Sequence, residues 1–248
     1  MCGSVFSRGV PRVLGSAGAC VSRCLPVELT VTRALNAMNF LEFVSKHRAE
    51  VLTLSLEHLS LVAWSIGIAL LVGIPLGVYL TRHPKVRAVV LGTNNVMQTI
   101  PSLALFGLLL PVAWLGARAD RLTITALALY ALLPIVRNTY TGVSGVDPAV
   151  LEVAKGMGLT QREMLWHVEL PLAAPVILGG VRVAAVITIG VATIAAAIGA
   201  GGLGEFIFRG LAMVDNNVIL AGAIPAALMA LAADGAIGLV QRLIQRPR

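Results

Sequence analysis

Apolar residues in this chain gather in long runs without charge. Leu59 to Tyr79 ("LSLVAWSIGIALLVGIPLGVY") carries none, nor do Ala88 to Ala117, Val183 to Gly204 or Asn216 to Ala233. About 20 apolar residues cross the hydrocarbon core as a helix, and a helix pairs its own backbone polar groups where water is absent. The pattern predicts an all-α, polytopic membrane protein. Five spans fit best, at about Val51 to Leu80, Val86 to Leu115, Leu122 to Tyr140, Pro175 to Gly199 and Asn217 to Val240. Pro101 in "QTIPSLALFG" should break or kink the second. That run is too long for one straight crossing, so division into two segments, with six spans in all, stays open.

Between the third and fourth runs lies a polar insert, "EVAKGMGLTQREMLWHVELP" (152–171), whose turns are written out locally. Asp147 followed by Pro148 predicts a helix start, an N-cap acceptor and then a proline at the first helical position. Gly156 and Gly158 should end that helix through a left-handed turn. Thr160 and Glu163 form the T-x-x-E pattern of a capping box opening a second helix, and Pro171 should stop it. The expectation is a rigid polar hairpin over 147–171. A plain connector between two spans needs neither that length nor such complete capping, so a docking surface is the better reading.

Composition agrees with the membrane reading: 57% of the 248 residues are hydrophobic, mean hydropathy is +0.87 and 12% are charged. The net charge of +7 does not point to nucleic acid, because the basic residues form no patch interleaved with aromatics. They sit instead at the ends of apolar runs, as cytoplasmic anchors do under the positive-inside rule. Among the loops, Arg82, Lys85, Arg87, Arg137, Lys155, Arg162, Arg242, Arg246 and Arg248 fall on the hairpin side, against Arg118, Arg121 and Arg209 on the other. The N-terminal segment adds six there, or two from Met38 onward, but a long N-terminal tail weighs little under this rule. The hairpin and the C-terminus are therefore expected in the cytoplasm of a bacterial cell, with the spans in its inner membrane. Cys2, Cys20 and Cys24 precede the first span and the histidines are scattered, so neither set has metal-ligand spacing. Residues 1–37 are expected to be a poorly ordered extension, with Met38 in "MNFLEF" as a second candidate start.

The spacing Glu152, Ala154, Gly158, Val168, Leu170, Pro171 resembles the EAA signature of ABC importer permeases: Glu-Ala-Ala, three residues, Gly, nine residues, Ile, one residue, Leu-Pro. Val153 replaces the second-place Ala and Val168 the Ile. The resemblance implies a type I importer permease fold, like that of the methionine importers, with the transmembrane domain over 51–243. In that family the hairpin fits a cleft on an ATPase subunit and transmits its motion. Carried over, 147–171 would be the coupling hairpin, Met157, Gly158, Leu159 and Thr160 its tip, and Lys155 and Gly156 the approach to it.

The stretches "QTIPSLALFGLLLP", "YALLPIVRNTYTGVSGVDP", "VELPLAAPVILGGVR" and "GAGGLGEFIFRGLAMVDNNVILAGAIPAALMALAAD" look like the osmoprotectant branch, whose systems import glycine betaine, choline, carnitine and related compounds. That implies three partners: an ATPase dimer carrying ATP and Mg, a second permease subunit, identical or similar, and an extracytoplasmic substrate-binding protein. No cofactor is expected on this chain.

Other features weigh less. Gly199, Gly201 and Gly204 match G-x-G-x-x-G, but the motif ends an apolar run rather than joining a strand to a helix, so it marks a packed or flexible span end. No P-loop sequence occurs. Asn94, Asn95, Gln98 and Thr99 cluster before Pro101, and polar groups at that depth point to a translocation pathway or to interhelical hydrogen bonds. Thr188 and Thr193 are weaker candidates, because threonine can bond its own helix. Arg182 is expected to snorkel to the surface, Asp234 to pair near the membrane edge with Arg242, and Glu57 and His58 to mark the outer end of span one. With three Trp, three Tyr and six Phe and no aromatic cluster along the spans, a cation–π cage for a quaternary ammonium is not legible. A stand-alone secondary transporter is the competing class. It would need ionisable groups deep in its spans, and it would have no use for the hairpin.

Overall fold

The computed structural model describes residue 40 and residues 42–245. The expectation for 1–37 lies outside the described residues, as do Arg246 and Arg248. Every regular element among the described residues is helical. Helical residues 42–46 lead into α1 (Arg48–Arg82), followed by α2 (Pro84–Thr99), α3 (Ser102–Leu109), α4 (Ala113–Gly116) and α5 (Ala119–Ser144). The polar insert forms α6 (Pro148–Gly156) and α7 (Gln161–Met164), which continues through a wide π-helical turn, Leu165–Glu169, into α8 (Leu170–Ala195). A short 3-10 turn, α9 (Gly204–Met213) and α10 (Asn216–Gln245) complete the chain. Among the described residues, four helices are long and apolar enough to cross a membrane: α1, α5, the rod from Gln161 to Ile198, and α10.

The packing gives their directions. Ser65 Oγ approaches the Ile124 carbonyl at 3.3 Å, Gly73 lies against Ile135, and Gly77 against Thr139. Positions rise together along both helices, so α1 and α5 run parallel. Gly142 against Ala173 and Gly180 against Asn138 make α8 antiparallel to α5. Arg182 with Asp234, and Gln241 with the Pro175 carbonyl, make α10 antiparallel to α8. Small residues allow these approaches: a Cβ on Gly180 would lie 2.5 Å from that of Asn138. In lipid, close packing of this kind replaces hydrophobic transfer as the force between helices. Leu61, Phe106, Leu127, Ile189 and Ala192 bring α1, α3, α5 and α8 together in the main buried cluster.

Parallel α1 and α5 require residues 83–118 to carry the chain back across, and the second expected span does so in pieces. Instead of one crossing from 86 to 115, the chain is α2, α3 and α4, broken at the extended pair Ile100 (ψ 122°) and Pro101 (ψ 138°). Pro101 brings no N–H and forces the residue before it out of the helical region. Tyr130 Oη on α5 donates to the Ile100 carbonyl at 2.6 Å, at the break.

Two further expectations are corrected. Pro171 does not end the hairpin's second helix. The Leu170 N–H bonds to the Leu165 carbonyl, five residues back, and this π-type turn takes the proline into α8 without a stop. Asp234 pairs with Arg182, across from it on α8, rather than with Arg242.

Candidate functional site

The hairpin follows its local chemistry closely. Asp147 caps α6 by accepting the Ala149 N–H at 2.9 Å, with Pro148 in the first turn. At the other end Gly158 has φ +83°, which glycine adopts without penalty. Its N–H bonds to Lys155 O at 3.0 Å and that of Leu159 to Ala154 O at 3.2 Å, the paired bonds of a Schellman turn. Gly156 plays no such part and is the last residue of α6. Thr160 then opens α7 with the expected capping box. Its N–H and hydroxyl donate to Glu163 Oε2 at 2.8 and 2.7 Å, and its hydroxyl accepts the Glu163 N–H at 3.3 Å.

These hydrogen bonds from Thr160 hold the Glu163 carboxyl below its usual range, with a smaller contribution from His167. A carboxyl depressed in the folded state contributes stability above its unfolded pKa, and loses it as pH falls through the lower, folded value. The box is therefore closed at neutral pH and opens only in acid. Thr160→Ala should remove one cap worth about 1 kcal/mol. Amide exchange over 161–164 should then quicken roughly fivefold, with the membrane helices unchanged, as hydrogen-exchange mass spectrometry would read.

Ala154 and Met164 are buried, one in each hairpin helix. Outward stand Glu152, Lys155 and a set of exposed apolar side chains: Val150, Val153, Met157 (68% exposed) and Trp166. Val168 and Leu170 are partly buried where the hairpin joins the span, and Pro171 is exposed beside them. An exposed apolar patch rimmed by charge on a rigid frame is what a docking surface presents.

One contact at this junction was not read from the sequence. Glu169, on the π turn, is buried (side chain 3% exposed) and accepts both its hydrogen bonds from Arg82 Nη2 at 2.7 and 2.8 Å. Arg82 is the last residue of α1. The pair fastens the root of the hairpin to a second membrane helix. A signal existed: Glu169 is an acid directly before Leu170-Pro171, and span one ends in a base at the same side of the membrane.

The pathway candidates are not gathered at one place. Asn95, Gln98 and Thr99 are exposed on α2, the helix that also carries Asn94 and packs against α1 and α5. Thr99 donates to its own helix at Val96 O, and Thr193 likewise to Gly190 O, both at 2.7 Å. Thr188 is fully buried on α8. At the end of the bundle far from the hairpin, His58 is also interior, its Nε2 3.2 Å from the Ile189 carbonyl. Glu57 accepts the Gly202 N–H at 3.3 Å. The glycine-rich segment is thus a tightly packed span end, with no strand before it.

Comparison with known proteins places the chain in a family. The family model for the binding-protein-dependent transport system inner membrane component matches residues 70–246. The chain is 40% identical over 204 residues to the choline transport system permease protein OpuBB of Bacillus subtilis (strain 168), covering 82% of this chain and 93% of that one. It is 42% identical over 199 residues to the osmoprotectant import permease protein OsmW of Salmonella typhimurium (strain LT2), covering 79% and 93%. With the carnitine transport permease protein OpuCB of Listeria monocytogenes the identity is 44% over 198 residues, covering 79% and 88%. Among solved structures, an inward-facing form of the MetNI methionine ABC transporter shares the fold, with TM-score 0.71 and 22% identity over 79% of this chain and 97% of that one. This chain belongs to the family of binding-protein-dependent transport system inner membrane components, and it is a permease of the ABC importer kind.

Proposed function

We propose that this permease imports a small osmoprotectant, such as glycine betaine, choline or carnitine, with a separate ATPase dimer docked on the 147–171 hairpin. The carrying observation is that relatives 40–44% identical over about four-fifths of the chain are named as choline, carnitine and osmoprotectant permeases. The likeness to the methionine transporter, at 22% identity, supports the fold and does not weigh on substrate. ATP and Mg belong on the partner ATPase. The loops between and after the spans, with nine Lys and Arg on the hairpin side against three on the other, support a cytoplasmic hairpin and C-terminus. A single copy encloses no obvious pathway, so two permease subunits, identical or similar, form the working unit. The small-residue faces of α8 and α10 are the candidate contacts between them.

Selection of the solute is assigned to an extracytoplasmic binding protein, because no aromatic cage is built along the spans. Uptake of glycine betaine and choline into vesicles should require ATP and the binding protein. Transport that persists without ATP would return the stand-alone carrier. Micromolar betaine binding to the purified permease alone would move the selective site into this chain.

A further inference from the structure

α8 and α10 carry a charge pair where a membrane protein can least neglect one. Arg182 stands about 18 Å along α8 at 1.5 Å per residue, near the middle of its 26 residues. Its Nε and Nη2 donate to the two carboxylate oxygens of Asp234 on α10. Ionisable side chains at such depth normally face a bundle interior or a wet cavity. Here the side chains remain 42% and 33% exposed. Beside them lies a cavity of about 470 Å³, lined by the pair, by Val183, Val186 and Ile187, and by Gln241. That volume falls within the usual range of small-molecule sites.

The chemistry of the wall is divided. Arg182 spends two of its three nitrogens on Asp234, and its Nη1 makes no hydrogen bond among the described residues, leaving donors for a carboxylate. A quaternary ammonium has no N–H to donate. It needs negative charge and apolar contact, which Asp234 and the valine-isoleucine surface supply. We propose that this cavity is a transit site for zwitterionic solutes, with Arg182 Nη1 meeting the carboxylate and Asp234 with Val183 and Val186 meeting the trimethylammonium end. The inference rests on the osmoprotectant reading given above. The site is a weak one, since a path must release what it holds, and delivery specificity stays with the binding protein.

The test uses the complete importer, with its ATPase and binding protein, in vesicles supplied with labelled glycine betaine (a zwitterion) or choline (a cation without carboxylate). Arg182→Gln should lower betaine uptake at least tenfold and choline uptake less than threefold. Because that variant leaves Asp234 unpaired in the membrane and can hinder assembly, Arg182→Lys is measured beside it. Lysine keeps the charge and a partner for Asp234 but loses the planar fork, so it should assemble normally and raise the KM for betaine alone. Equal effects on both solutes, or none in either assembled variant, would reduce the pair to a clamp between helices and overturn the proposal. A wild-type complex that imports neither solute would instead remove the osmoprotectant reading, and this inference with it.

Discussion

Gly158→Val is expected to abolish uptake while leaving the protein inserted in the membrane. The residue sits at φ +83° with nothing within 4 Å of where a Cβ would stand. The penalty is therefore backbone conformation and not crowding. A β-branched side chain in the left-handed region is strained by roughly 1–3 kcal/mol, and the Schellman bonds donated by the Gly158 and Leu159 amides depend on that region being occupied.

 The tip would reopen to another conformation, moving Met157 and Thr160 away from the surface that α6 and α7 hold in common. Glu152→Lys should fail differently: the helix forms, but the charge presented beside Val153 is reversed. The decisive measurement is co-purification of the ATPase together with uptake. Both variants should lose both. If they bound the ATPase and transported at wild-type rates, the hairpin would not be the coupling element.

Glu169→Ala and Arg82→Ala should uncouple by another route. Removing Arg82 leaves a buried carboxylate without its partner, and breaking a buried pair typically costs about 3–5 kcal/mol. Arg82 is 43% exposed, so solvent compensates in part and the lower end of that range applies. Removing Glu169 leaves an arginine that can turn to water, and should destabilise less. Both variants free the hairpin root from α1, so stimulation of the ATPase by the binding protein should fall at least tenfold in each, whatever the loss of stability. Glu169→Gln keeps a hydrogen-bond acceptor for the guanidinium and should lie between these and wild type. Measuring ATPase stimulation beside thermal melting separates the two effects. A variant that melts early yet couples normally would show that the pair serves stability alone.

The parts of the hairpin that were legible in the sequence are those decided by near neighbours. Asp147, Gly158 and the Thr160–Glu163 box each satisfy backbone groups within a few residues, so residue type and spacing suffice. The break at Pro101 was legible for the same reason. Pro171 was misread because its fate depends on the π turn before it, and no residue in "LWHVE" announces a five-residue hydrogen bond. The charge pairs were hidden for a different reason. Asp234 has Arg242 close by in sequence, but helix α8 brings Arg182 to it across 52 positions, and only the antiparallel packing reveals that. Arg82 and Glu169 are likewise 87 residues apart. Of the pathway residues, Thr188 and Thr193 could be placed on a helix but not on a face, because apolar residues flank both on every side.

The continuous helical segment from Gln161 to Ile198, with its π turn inside, has a mechanical consequence. Its 38 residues make a lever about 57 Å long at 1.5 Å per residue. One end belongs to the hairpin, and the other abuts the glycine loop that Glu57 touches. A tilt of roughly 10° about one end would swing the other by about 10 Å over that length, enough to open or shut a passage for a small solute. Motion delivered at the tip would reach the opposite rim along this one helix, through backbone hydrogen bonds rather than a chain of side chains, with the π turn as the place where the rod can bend.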